Sequence, residues 1–285
     1  MRNLYLLTCL VTVVTVVSAS AQSFYAIRRD RSLIATLGIN SSTYYGDLKD
    51  NTGLDAKPSL SLGVMMNVAP RIAVRGEFSW ITLSGDDAKT GNESLMVRNL
   101  SFTSNNYEVN FSGQISLFPH KGRFYQRPKF NAYGFAGIGA LYFNPKAELD
   151  GKKYALQPLK TSGVDYSRLT VVIPYGFGIK TRVSPFIDFG IEVGFRKLFT
   201  DYIDDVSGRY IDNASFTDPV AQKLADRRPE IGLPLARAGA IRGGSSKDNY
   251  MLLTAKIGYY LPFLSRSSNG GRKIYSVKRR RPSHR

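Results

Sequence analysis

Eight stretches of this chain alternate apolar with polar or small residues at a period of two, the spacing that sends successive side chains to opposite faces of a β-strand. The pattern is cleanest over 106–117. There Tyr107, Val109, Phe111, Ile115 and Leu117 share one face, and Asn106, Glu108, Asn110, Ser112, Gln114 and Ser116 share the other. In 33–39, Leu33, Ala35, Leu37 and Ile39 oppose Thr36 and Gly38; in 59–68, Leu60, Leu62, Val64, Met66 and Val68 oppose Ser59, Ser61, Gly63, Met65 and Asn67. Segment 72–80 sets Ile72, Val74, Phe78 and Trp80 against Ala73, Arg75, Glu77 and Ser79. Three later segments, 169–182, 187–195 and 251–263, repeat the scheme, with Lys180, Arg182, Asp188, Glu192, Arg196 and Lys256 on the polar rows. Segment 130–143 is strand-like, but its Gly and Ala content leaves its facing open.

Two architectures use eight alternating strands. A soluble lipocalin-like barrel lines its interior with apolar groups, whereas a barrel in lipid turns them outward. Here the apolar rows are wide and nearly uninterrupted, and the opposite rows mix Gly, Ser, Asn and charges. That pattern predicts an all-β fold, an eight-stranded antiparallel transmembrane β-barrel of outer-membrane type with long external loops. Closure removes the unpaired edges that hydrocarbon does not tolerate. An eight-stranded barrel is only wide enough to hold side chains, so its lumen is expected to be plugged. The inward charges are balanced: Arg75, Lys180, Arg196 and Lys256 against Glu77, Glu108, Asp188 and Glu192. We read them as one interior network whose opposite charges offset each other's desolvation. The alternative use of such a lumen is a narrow path for small solutes.

The N-terminus predicts export. Arg2, the apolar run 4–17 and the Ala19-Ser20-Ala21 end are the parts of a signal peptide, cleaved after Ala21. This divides the chain into a signal peptide at 1–21, a barrel at 22–263 and a basic tail at 264–285. The single cysteine, Cys9, leaves with the signal, so neither a disulfide framework nor a Cys-based metal site is expected. Export also removes nucleic acid from the partners that a net charge of +17 would otherwise suggest.

Connections alternate between short (69–71, 119–128, around Ser184-Pro185) and long (41–58, 84–105, 144–168, 197–250), as periplasmic turns and external loops do. Sorted by compartment, lumen and external loops each sum to zero, and the 16 net charges of the mature chain fall on the periplasmic side. That face comprises Lys121, Arg123, Arg127 and Lys129 in one turn, Arg272, Lys273, Lys278, Arg279, Arg280 and Arg281 in the tail, and scattered arginines. Anionic headgroups, cell-wall polymer or an acidic protein would feel such a field.

Catalysis is not expected. A general base near the external rim would ordinarily be histidine, but His120 falls in a periplasmic turn and His284 in the tail. The acids of Asp201-Tyr202-Ile203-Asp204-Asp205 match no EF-hand spacing and read as turn and capping residues, so no cofactor or metal is assigned.

Three segments resemble small outer-membrane barrels of the Bacteroidota: Tyr45-Gly46-Asp47-Leu48; Phe135-Ala136-Gly137-Ile138-Gly139 with Tyr142-Phe143-Asn144-Pro145; and Thr200-Asp201-Tyr202-Ile203-Asp204-Asp205-Val206-Ser207-Gly208-Arg209-Tyr210. The resemblance spans about residues 24–263. This family includes the PorG-like barrel of the type IX secretion apparatus, and it implies a non-enzymatic accessory or anchoring component that docks periplasmic secretion proteins. A surface adhesin or structural barrel is the alternative.

Overall fold

A computed structural model describes residues 32–48, 57–120, 124–244 and 246–261. Eight long antiparallel strands form a closed wall: β1 (Leu33–Tyr45), β2 (Lys57–Asn67), β3 (Ile72–Asp86), β4 (Ser101–Ser116), β5 (Phe130–Tyr142), β8 (Leu169–Arg182), β9 (Ile187–Leu198) and β10 (Asn249–Tyr260). Each pairs with its sequence neighbour except at the seam, where β1 pairs β10, and β3 joins β4 to close the ring. A short hairpin, β6 (Pro145–Leu149) and β7 (Lys152–Ala155), continues the sheet beyond the wall by pairing Lys146 with Thr103 of β4.

The apolar rows face outward. Leu62, Phe111, Ile115, Ile138 and Phe177 are among the exposed large side chains of the wall. From Ile72 to Trp80, at ~3.3 Å per residue and a tilt of ~40°, the band rises about 20 Å along the membrane normal, close to the ~25 Å of such barrels. Trp80, Tyr107 and Tyr142 stand at its external edge on adjacent strands, in register Trp80↔Tyr107↔Tyr142, with the Tyr107 and Tyr142 rings 6.5 Å apart. Amphipathic rings settle at the interface because one end is apolar and the other is wet.

Within β5, the register left open by composition is settled by burial. Asn131, Tyr133, Phe135 and Leu141 face inward, and Phe130, Ile138 and Tyr142 face lipid. Several strands also run further outward than the alternation predicts, because the alternation reverses polarity above the aromatic edge. On β3 the outward row changes from Ile72, Val74, Phe78 and Trp80 to Thr82, Ser84 and Asp86, while the inward row changes from Arg75, Glu77 and Ser79 to Ile81 and Leu83. Above the bilayer the wall is in water, so the ordinary apolar-in arrangement returns. Ile81, Leu83, Phe102, Leu141, Phe143, Val172, Leu198 and Leu252 form an apolar core there, with Leu48, Leu149, Leu156, Ile203, Val206 and Leu224 from the loops packed into it.

Candidate functional site

At membrane level the lumen is filled by ion pairs between strands distant in sequence. Arg75 on β3 donates from Nη1 to Glu192 on β9 at 2.6 Å and from Nε to Ser112 at 3.2 Å, with its guanidinium 4.6 Å over the Phe135 ring. Lys256 on β10 donates to Glu77 at 2.6 Å and reaches Glu192 at 3.4 Å. The Tyr133 hydroxyl adds a third donor type to Glu192, at 3.1 Å. Higher up, Arg196 lies 3.5 Å from Glu108, whose other contacts are the hydroxyl of Tyr250 and the amide of Asn110. The six charged residues of this set, Arg75, Glu77, Glu108, Glu192, Arg196 and Lys256, are all buried, Glu108 completely. Pairing of this kind keeps each charge from standing alone in a poorly hydrated interior.

Arg127 corrects the sorting of charges by compartment. Counted from sequence as part of the periplasmic basic face, it is only 3% exposed. Its guanidinium turns back into the barrel mouth, bonding Asp188 from Nε at 2.8 Å and Nη2 at 2.7 Å, and stacks 4.2 Å over Tyr260. It also donates to the carbonyls of Phe124, Pro185 and Ser184, stapling two periplasmic turns together. Sorting by connection misses this because an arginine side chain reaches well past its own turn and carries five donors. The lumen therefore holds five bases against four acids, and the net charge expected for the periplasmic side falls from sixteen to fifteen. Lys180, the remaining member of the expected network, is apart from the others. It makes no ion pair or hydrogen bond among the described residues and sits 5.5 Å over the Tyr133 ring.

Of the basic face itself, Lys129 is exposed. Lys121, Arg123, Arg272, Lys273, Lys278, Arg279, Arg280 and Arg281 lie outside the described residues, as do the signal segment and the tail. His120, at the same end, is half-buried; burial, followed by repulsion from Lys180, pushes its imidazole down to about 4. It is therefore neutral at physiological pH.

The external mouth is closed by described residues of all four long loops, and two of the three resemblance segments, those around Asp47 and Asp201–Ser207, supply the residues that lock it. Asp204, wholly buried, accepts from the Leu48 amide at 3.2 Å and the Val206 amide at 2.8 Å. Asp205, equally buried, accepts on its carboxylate from the hydroxyls of Thr161 and Tyr166 and on its carbonyl from Arg242, whose guanidinium also pairs with the carboxylate at 3.7 Å. Asp201 accepts from Ser207 at 2.7 Å. Asp47 takes the Gly244 amide at 2.6 Å, tying the first loop to the last. Arg98 completes the lock. It holds Asp87 with two bonds of 2.7 Å and donates to the carbonyls of Asp47 and Arg242. The acids thus point to separate donors on separate loops instead of converging on one point.

Gly46 explains its own place in the Tyr-Gly-Asp segment. A Cβ there would stand 1.8 Å from the Tyr44 hydroxyl oxygen and 2.3 Å from Asp248 Oδ1, and those two atoms bond each other at 2.5 Å. Tyr45, one residue earlier, pairs with Asn249 at the end of the strand ladder. Asp248 was not singled out from sequence. A lone acid before a strand carries no local signal, and only the fold brings it under Tyr44 and the Ile203 amide, 2.9 Å from Oδ2.

Comparison with known proteins agrees with this geometry. The model of the outer membrane protein beta-barrel domain family matches residues 9–220, and the chain belongs to that family. Its place is therefore the cell outer membrane, with the strands as the spanning elements. Among solved structures it is similar to Neisserial surface protein A (7% identity, 80% of this chain and 97% of that one, TM-score 0.41). It is also similar to OprG of Pseudomonas aeruginosa (10%, 81% and 96%, 0.41) and to Ail, the attachment invasion locus protein of Yersinia pestis (13%, 81% and 98%, 0.38). No curated protein matches the chain.

Proposed function

We propose that this barrel is a non-enzymatic accessory or anchoring component of a protein secretion apparatus of type IX kind, docking periplasmic partners through its basic face. The observation that carries the reading is the closed interior. A lumen occupied by the Arg75–Glu192–Lys256–Glu77 cluster and capped by an apolar plug leaves the two ends of the barrel as its working surfaces. Of those ends, the periplasmic one bears the charge. The resemblance of the Tyr45-Gly46-Asp47 and Asp201–Tyr210 segments to PorG-like barrels supplies the choice of partner, a periplasmic ring of secretion proteins.

Removing residues 266–285 tests it. The expected result is a correctly inserted barrel with impaired secretion of exported cargo and loss of periplasmic crosslinks; unchanged secretion would count against docking through the tail. A second reading, a surface adhesin or structural barrel, is favoured by one observation. The locked external loops hold Met96, Val97, Ile231, Leu235 and Ile241 exposed, Ile241 at 74%. Under that reading, trimming 227–241 abolishes attachment while the tail is dispensable.

A further inference from the structure

The fifth lumen base has no acid of its own, and its surroundings show what can balance it. Lys180 lines a cavity of about 30 Å³ inside the barrel, together with Thr36, Arg75, Tyr133, Asp188 and Lys256. Three polar atoms on this lining, Lys180 Nζ, Arg75 Nη2 and Thr36 Oγ1, are buried without a hydrogen-bond partner among the described residues. Arg75 and Thr36 are only 3% and 7% exposed. Orphaned donors of this kind each cost about 1–3 kcal/mol, more when charged, so three around one space mark a place built to receive an acceptor.

The charges around the cavity select the acceptor. Its walls bring three cations and one carboxylate. Asp188 is taken up on its other side by the two nitrogens of Arg127 and by the Tyr260 hydroxyl at 3.1 Å. Glu77 and Glu192 are held by Lys256 and Arg75. Water would satisfy the donors but leave the surplus positive charge. A carboxylate or phosphate would exceed the space, which is only about twice the ~10–15 Å³ that one water needs. We propose that the cavity binds a single monovalent halide-sized anion, chloride under physiological conditions, held by Lys180 Nζ, Arg75 Nη2 and the Thr36 hydroxyl. The anion completes the neutrality of the lumen and serves as a structural ligand.

The test uses the full chain refolded in detergent or lipid. Crystals soaked in sodium bromide are expected to show one anomalous peak between Lys180 and Arg75. Thermal unfolding is expected to shift upward as chloride replaces gluconate at constant ionic strength, with half-maximal chloride raised roughly tenfold to a hundredfold in Lys180→Met, the loss of one charge-assisted bond. Thr36→Val removes only a hydroxyl and is measured alongside, so a folding defect in the lysine variant does not leave the site undecided; a weakened chloride response is expected there too. A wild-type protein that unfolds identically in chloride and gluconate, or bromide density absent from the cavity, overturns the proposal, as does an undiminished chloride response in both variants.

Discussion

Replacing Glu192 by Gln is the most direct test of the lumen network. The substitution conserves shape and removes one charge from a side chain that is 1% exposed and touches Arg75 at 2.6 Å, Tyr133 at 3.1 Å and Lys256 at 3.4 Å. It leaves five bases against three acids in the lumen, with Arg75 reduced to the 3.9 Å contact with Glu77 and Lys256 still on that same carboxylate. Breaking a buried pair by neutralising one partner costs about 3–5 kcal/mol, because a desolvated charge is left behind. An internal control has similar geometry and opposite burial. Lys160 and Asp165 lie 2.9 Å apart on the external surface with side chains 53% and 65% exposed, and such pairs contribute about 0–1 kcal/mol. Urea unfolding in lipid vesicles can be followed through Trp80, the one tryptophan, which stands at the aromatic edge of the barrel. Glu192→Gln should lose about 3–5 kcal/mol and Lys160→Ala less than 1 kcal/mol. Combining Glu192→Met with Arg75→Met should recover most of the loss, since an apolar replacement of a whole buried pair is often neutral. A loss below about 1 kcal/mol for Glu192→Gln would refute the claim that these charges are interdependent.

Other consequences are open to measurement. Gly46→Ala must push a methyl into the Tyr44–Asp248 bond; overpacking of this order costs about 1–3 kcal/mol and should show as faster proteolysis of the external loops while the strands stay protected. Burial pushes the Asp248 carboxyl up to about 7, and Asp204, beside it, is raised as well. A native carboxyl that holds its proton to higher pH than the unfolded one contributes stability that is full below about pH 4 and lost as pH rises toward 7. Protection factors in 199–244, corrected for the intrinsic rise of amide exchange with pH, should therefore be higher at pH 5 than at pH 8, and Asp248→Asn should flatten the difference. Phe111→Arg places a cation on the lipid face near mid-bilayer, where the side chain is 69% exposed. It should cost about 2–4 kcal/mol by refolding titration, against about 0–1 for Thr103→Arg beyond the aromatic edge.

What the sequence alone determined follows from the strand period. Which residues face lipid, that the strands number eight, and that Arg75, Glu77, Glu192 and Lys256 turn inward are all consequences of a two-residue repeat, which is local and survives without knowledge of the partners. The same repeat was silent where neither face carried a contrast, as in 130–142, and misleading in extent where the outside medium changes from lipid to water, as above Trp80. Tertiary structure decided the rest. Arg75 meets Glu192 across 117 residues, and Asp204 meets the Leu48 amide across 156, distances bridged by strand register and barrel closure. Arg127 is the sharpest case. Its turn belongs to the periplasm, but its charge belongs to the lumen, because five donors on a long stem find Asp188 and four carbonyls only after β8 and β9 have been joined. A local pattern can assign a side chain to a face, but only the closed ring assigns it a partner.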